Sequence, residues 1–261
     1  MNDSISPRAD RQPIALVTGA SAGFGHAICA RLLRDGYRVI AASRRTEPLQ
    51  ALRRQHGEAL LSVSLDVRDE SAIATMKQSL PDNWRDVDIL VNNAGLALGK
   101  EKAQEADFED WRTMIDTNVT GLALMTHAFL PGMVDRKRGL VINIGSVAGK
   151  YPYPGGNVYG ATKAFVAQFS RNLRADLAGT GVRVTDVQPG LAGETEFSLV
   201  RYKGDQTRAA AMYDGAHPLR PEDIAETVAW VASLPPHVNV NAIEVMPTSQ
   251  SFTALTVTRD H

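Results

Sequence analysis

Short apolar runs alternate along this chain with longer stretches of helical periodicity, and that alternation constrains the fold most. The runs span 14–18, 37–42, 60–65, 87–91, 140–144, 182–187 and 242–246. A strand buried on both faces reads as a continuous apolar run of this kind rather than as polar–apolar alternation. Between the runs lie helical patterns. One ends near Arg34, with Ile28, Leu32 and Leu33 inward. A second runs from about Trp111 to Arg136, and a third carries Ala161, Phe165, Phe169, Leu173 and Leu177 at intervals of four. A fourth opens at Pro221-Glu222-Asp223, with proline in the first turn and acids beside it. The alternation predicts an α/β fold, a doubly wound parallel sheet with helices on both faces. The 261 residues suffice for one large domain, expected over 14–261 after a loose tail at 1–13. Leu191 to Arg220 has weak periodicity and reads as a mobile excursion over a site, a loop of about 190–220.

Composition narrows the class. A formal charge of −1 gives no reason to expect nucleic acid or an anionic membrane as partner. Cys29 is the one cysteine, so no intrachain disulfide can form. The six histidines are scattered, and one cysteine three positions after His26 does not make a set of ligands, so no metal is expected. No apolar run approaches the roughly 18 residues of a membrane span. Met1 to Arg11 lacks the apolar segment of a signal peptide. A soluble, cytoplasmic protein is the expectation.

Polar clusters fall at the C-terminal ends of the runs, the edge where open α/β sheets bind ligands. After the first run come Gly19, Ala20, Ser21, Ala22, Gly23, Phe24 and Gly25, leading into a helix. Backbone N–H groups of such a turn can hold a diphosphate, although a tight strand–helix turn would also account for the glycines. Arg44 and Arg45 follow the second run, where a site for the unphosphorylated dinucleotide would carry an acid. Two guanidiniums there suit a 2′-phosphate and predict NADP; the alternative is a solvated basic patch. Asp66 could accept from an adenine amino group or cap the next helix. Asn92-Asn93-Ala94-Gly95 offers small residues and amides beside the fourth run. Ser146, Tyr159 and Lys163 complete the set. The first two lie thirteen positions apart and the last two four, which stacks the ammonium and the phenol on one helix face. A nearby cation favours the phenolate, so Lys163 is expected to lower the pKa of Tyr159 from its ordinary value of about 10. A phenol so tuned can exchange a proton at neutral pH.

T-G-x-x-x-G-x-G, N-N-A-G, Asn118, Ser146 and Y-x-x-x-K, in that order, resemble the short-chain dehydrogenase/reductase family. The segments DILVNNAGLALG, WRTMIDTN, GGNVYGATKAFV, LPGMV and HVNVNAIEVMP resemble its NADP-dependent 3-hydroxy acid dehydrogenases, a group that includes L-allo-threonine and serine dehydrogenases and malonic semialdehyde reductases. The resemblance implies a single-domain Rossmann-like fold and a homotetramer. It implies an NADP site lined by Gly19 to Phe24, Arg44, Arg45, Asp66, Val67 and Asn93, with Tyr159 and Lys163 at its reactive end. Pro189, Gly190 and Leu191 begin a segment to Phe197 that would close over the nicotinamide. Tyr159 would be the acid/base, Ser146 would hold the substrate oxygen, Lys163 would bind the nicotinamide ribose, and Asn118 would support a water-linked proton path to Lys163.

The function this implies is hydride transfer between NADP(H) and the 3-hydroxyl carbon of a small 3-hydroxy acid. The rivals are a broad NADPH-dependent carbonyl reductase and a non-catalytic NADPH-binding regulator. Arg201, Lys203, Lys150 and Tyr151 are candidates by charge or polarity for a substrate carboxylate, each read more simply as solvated loop. Glu194, where a small residue is expected, and His217-Pro218 depart from the family pattern within the excursion.

Overall fold

In the computed structural model of the chain, residues 11–252 are described. Residues 1–10 of the expected tail lie outside them, as do 253–261. Arg11 bonds the Asp86 carbonyl at 3.2 Å and the Asp88 carboxylate at 3.1 Å.

Every apolar run becomes a strand. In chain order the elements are β1 (Ile14–Thr18), α1 (Gly23–Arg34), β2 (Arg38–Ser43), α2 (Gln50–His56), β3 (Leu60–Ser64), α3 (Glu70–Ser79) and β4 (Ile89–Asn92). They continue as α4 (Phe108–Ile115), α5 (Leu122–Asp135), β5 (Gly139–Ile144), α6 (Asn157–Asp176) and β6 (Val182–Pro189). Last come α7 (Phe197–Arg201), α8 (Gln206–Ala211), α9 (Pro221–Ser233) and β7 (Ala242–Val245). The strands form one parallel seven-stranded sheet in the order β3-β2-β1-β4-β5-β6-β7. The chain steps outward from β1 to β3 and then crosses to β4 on the other side of β1. That reversal opens a crevice at the C-terminal ends of β1 and β4.

Alternate side chains feed two cores. Ala15 and Val17 of β1 pack with Ile28 and Leu32 of α1 and Ile224 and Val228 of α9. Ile14 and Leu16 face Met76 of α3, Met125 and Phe129 of α5 and Leu173 of α6. Both Ile14 and Leu16 are fully buried, a contribution of about 1.5–3 kcal/mol each. The expected doubly wound sheet is what the chain forms.

Three local readings need revision. The helical region about 111–136 is not one α-helix: α4 and α5 are joined by a wider π turn over Asp116–Gly121, which contains Asn118. Such turns occur often at functional sites. In α6 the four-residue stripe does not face inward throughout. Ala161 and Phe165 are exposed, whereas Tyr159, Thr162, Lys163, Val166, Ser170 and Leu173 are buried. The stretch 190–220 carries α7 and α8, pinned by a parallel bridge between Ala192 and Leu219. Helices of five and six residues are too short to leave a periodic signature.

Candidate active site

The turn between β1 and α1 lies against the N-N-A-G segment after β4. Gly19 and Gly23 have φ of +65° and +51°, a region that favours glycine. A Cβ on Gly19 would stand 2.9 Å from the Ala94 Cα, so no side chain fits. Asn93 Nδ2 donates to the Thr18 and Gly19 carbonyls at 2.8 and 3.3 Å, and the Thr18 hydroxyl accepts from the Asn93 and Ala94 amides at 3.0 Å. Asn93 therefore holds the turn in shape. Ala22, the N-cap of α1, supplies no capping side chain, so an anion can take that role.

Above the turn lies a cavity of about 530 Å³. Gly19, Ser21, Ala22, Gly23 and Phe24 line its floor; Ala20 instead points into the core and is fully buried. Arg44, Arg45, Asp66 and Val67 form one end. Arg45 pairs at 2.5 Å with Glu196 from the excursion, an acid that the sequence reading did not single out. Arg44 has no ion-pair partner among the described residues. Asp66 is gripped by Arg68 through bonds of 2.6–3.1 Å, which hold its carboxyl below the usual range. A glycine cradle, an uncapped helix start and paired guanidiniums fit a dinucleotide with an extra phosphate.

Ser146, Tyr159, Lys163, Pro189, Gly190 and Leu191 form the opposite end. Ser146 follows β5; its hydroxyl accepts from the Ala148 amide at 3.1 Å and donates to the Pro189 carbonyl at 3.3 Å. Tyr159 is 8% exposed and packs edge-on against Phe197, ring centroids 5.8 Å apart. Lys163 Nζ donates to the Ile144 carbonyl at 2.8 Å and lies 6.0 Å from the Tyr159 ring centroid. Asn118 does not line the cavity. Its Oδ1 accepts from the Leu96 amide at 2.9 Å, and its Nδ2 donates to the Leu96 carbonyl and the Thr162 hydroxyl at 2.8 and 3.0 Å. Between it and Lys163 sits Gly95, where a Cβ would be 3.2 Å from Asn118 Oδ1 and 3.5 Å from Lys163 Nζ.

Burial governs the electrostatics. It pushes the Tyr159 phenol up to about 12, against a downward pull from the Ser146 hydrogen bond and a smaller one from Arg201. It brings the Lys163 ammonium down to about 8, opposed by Asp186. The expectation that Lys163 lowers the phenol is therefore corrected: in this structure desolvation raises it, and Arg201 is the nearby cation that pulls it down.

The four candidates for a carboxylate separate. Lys203 pairs with Asp110 at 2.9 Å, and Lys150 and Tyr151 both bond Glu244, at 3.4 and 3.1 Å. Arg201 is 5% exposed and lines the cavity, not a solvated loop residue. Tyr153 and Gln250, which the sequence reading passed over, share that wall with Phe197, the end of the segment expected to close over the nicotinamide; Gln250 Oε1 accepts from the Leu191 amide at 2.7 Å. Only the position of Tyr153 within the Ser146–Lys163 stretch could have signalled either of the two. Glu194 holds φ +54°, and His217 is exposed. Among the described residues no group of three acid, histidine or cysteine side chains could hold a metal ion, and no helix is long and apolar enough to cross a membrane.

The family profile described as short chain dehydrogenase matches residues 13–203. The NADP-dependent 3-hydroxy acid dehydrogenase YdfG of Salmonella typhi is 61% identical over 246 residues, covering 94% of this chain and 99% of its own. The serine 3-dehydrogenase of Rhizobium radiobacter is 51% identical over 245 residues, covering 94% and 98%. Among solved structures, the closed form of a serine dehydrogenase complexed with NADP+ superposes with a TM-score of 0.93 at 58% identity, covering 95% of this chain and all of that one.

Proposed function

The chain belongs to the short-chain dehydrogenase family, and from that premise we propose that it oxidises the 3-hydroxyl of a small 3-hydroxy acid with NADP, or reduces the corresponding 3-oxo acid. The observation that carries this reading is one cavity with a hydroxyl, a phenol and an ammonium at one end and paired guanidiniums at the other. The similar enzymes from Salmonella and Rhizobium supply the substrate class.

Bound NADP would supply the hydride chemistry; the protein supplies position and protons. Gly19 to Phe24 would hold its diphosphate, and Arg44 and Arg45 its 2′-phosphate. In reduction, the neutral Tyr159 phenol gives its proton to the substrate oxygen; in oxidation the phenolate takes it back. The Ser146 hydroxyl bonds the same oxygen and sets the carbon in line. Lys163 would anchor the nicotinamide ribose, with Asn118 behind it on a water-linked path, and Arg201 is the cation whose charge favours the phenolate. Burial keeps the phenol protonated at neutral pH, which suits it to act as an acid.

The test follows NADPH absorbance with L-serine, L-allo-threonine and 3-hydroxypropionate beside simple secondary alcohols. Turnover of the acids is expected; turnover of the alcohols alone would favour a broad carbonyl reductase, and binding without turnover a regulator. A homotetramer fits the exposed Phe108, Phe165 and Trp230, and light scattering should give four times the chain mass. A cytoplasmic location goes with a single cysteine that is free and buried.

A further inference from the structure

Arg201 ends α7 and turns back over the cavity, where its guanidinium is almost sealed from solvent. All its partners among the described residues are neutral. Nε donates to the Gly99 carbonyl at 3.0 Å, and Nη2 donates to the Tyr153 phenol at 3.0 Å and the Gly155 carbonyl at 3.4 Å. The Arg201 carbonyl in turn accepts from the Gly99 amide at 3.0 Å. No carboxylate pairs with it among the described residues. A guanidinium has five N–H donors, and these bonds leave the two on Nη1 without an acceptor among the described residues. Arg201 lines the cavity, and Nη1 is the edge of the guanidinium that no described residue takes up.

A buried cation without a counter-ion is costly unless something else neutralises it. Arg183, also buried, shows the structural alternative: it spends its donors on the Val231, Ala232 and Val238 carbonyls beneath β6. Arg201 instead sits with its Cζ 5.8 Å from the Tyr159 ring centroid, with an unused pair of donors in a shared cavity. Lys100, the other cation on that wall, is exposed and points at the Met212 sulfur.

We infer that Arg201 receives the substrate carboxylate on its Nη1 edge, in the orientation set by Tyr153, Gly99 and Gly155, and so selects acids over neutral alcohols. The inference rests on the oxidoreductase reading above and names what selects its substrate. With the carboxylate on Arg201 and the hydroxyl on Ser146 and Tyr159, the reacting carbon is fixed a short chain away from the acid.

The experiment compares 3-hydroxypropionate with 3-hydroxypropionamide, equal in length and differing in charge. The wild type should prefer the acid by about 10² or more in kcat/KM, as charge-assisted pairing implies. Arg201→Gln should bring that ratio to within tenfold, chiefly through KM for the acid, and Arg201→Lys should restore part of it. NADPH binding, read by fluorescence, reports whether each variant is folded. A ratio that stays at the wild-type value, or equal losses on acid and amide, would mean a structural arginine and overturn the inference. Should Arg201→Gln fail to fold, inhibition of the wild type decides: malonate is expected to compete with the acid, and malonamide inhibiting equally well would sink the idea. If the wild type oxidises no 3-hydroxy acid, the functional reading fails separately. Calorimetry with malonate on the NADP-loaded protein then still decides about Arg201, with binding in support and no binding against.

Discussion

Tyr159 and Lys163 exchange their usual order of titration in this site. Burial raises the phenol to about 12 and lowers the ammonium to about 8, so the lysine gives up its proton first. The consequence for stability has a definite sign. Lys163 is depressed on folding, so the unfolded chain binds more protons between about pH 8 and the ordinary lysine value of 10.5, and stability gains from this residue as pH rises through that window. Below pH 8 the buried charge costs on the order of 3 kcal/mol. Lys163→Met should therefore flatten the rise of denaturation free energy between pH 8 and 10, measured by urea unfolding; parallel wild-type and mutant curves would contradict the assignment. Tyr159 works the other way, with stability lost above pH 10. Tyr159→Phe should lower turnover by about 10² to 10⁴ while NADPH binding stays near the wild-type value. Glu194 holds a left-handed backbone that costs a side-chain-bearing residue about 1–2 kcal/mol. Glu194→Gly should raise Tm by roughly 2–4 °C, about 1 kcal/mol in a chain of this size.

At the scale of elements, the excursion after β6 meets the dinucleotide end of the cavity through Glu196 and Arg45. Both side chains are about half exposed, so the pair is worth only about 0.2–1 kcal/mol, but it occupies the donor that a 2′-phosphate would use. Glu196→Gln should tighten NADP up to about fivefold and leave NAD unchanged, read by fluorescence titration of both; equal gains for the two would rule out competition at Arg45. Local spacing made the reactive trio readable, because Tyr159 and Lys163 share one helix and Ser146 sits at a strand end. The same habit misled in α6. A stripe at intervals of four slips by about 40° per step on a helix of 3.6 residues per turn, which carries Phe165 outward while Leu173 stays in. Arg201, one of four candidates by charge or polarity, could not be set apart from the others for another reason. Its partners lie 46 to 102 positions away and two of them are backbone carbonyls, so nothing in the sequence distinguishes it from a surface arginine.

For the whole molecule, a parallel sheet buried on both faces follows from continuous apolar runs, and the family resemblance led to the same fold by an independent route; the strand order is seen only in the structure. What composition could not foretell is how the cavity draws on both halves of the sheet: β1 to β4 provide the cradle, β5 and β6 the reactive end. A ligand bridging those halves stabilises both together. NADP at 100 times its dissociation constant should add about 2.7 kcal/mol, raising Tm by roughly 5–10 °C in a single transition by differential scanning fluorimetry. Two separated transitions would mean that the halves melt independently. One earlier detail bears on anyone who would redesign this protein. Gly99 and Arg201 hold each other through a reciprocal pair of bonds, the Gly99 amide to the Arg201 carbonyl and Arg201 Nε to the Gly99 carbonyl. The two segments form a single clasp, and a chimera that borrows one without the other would inherit half a handshake.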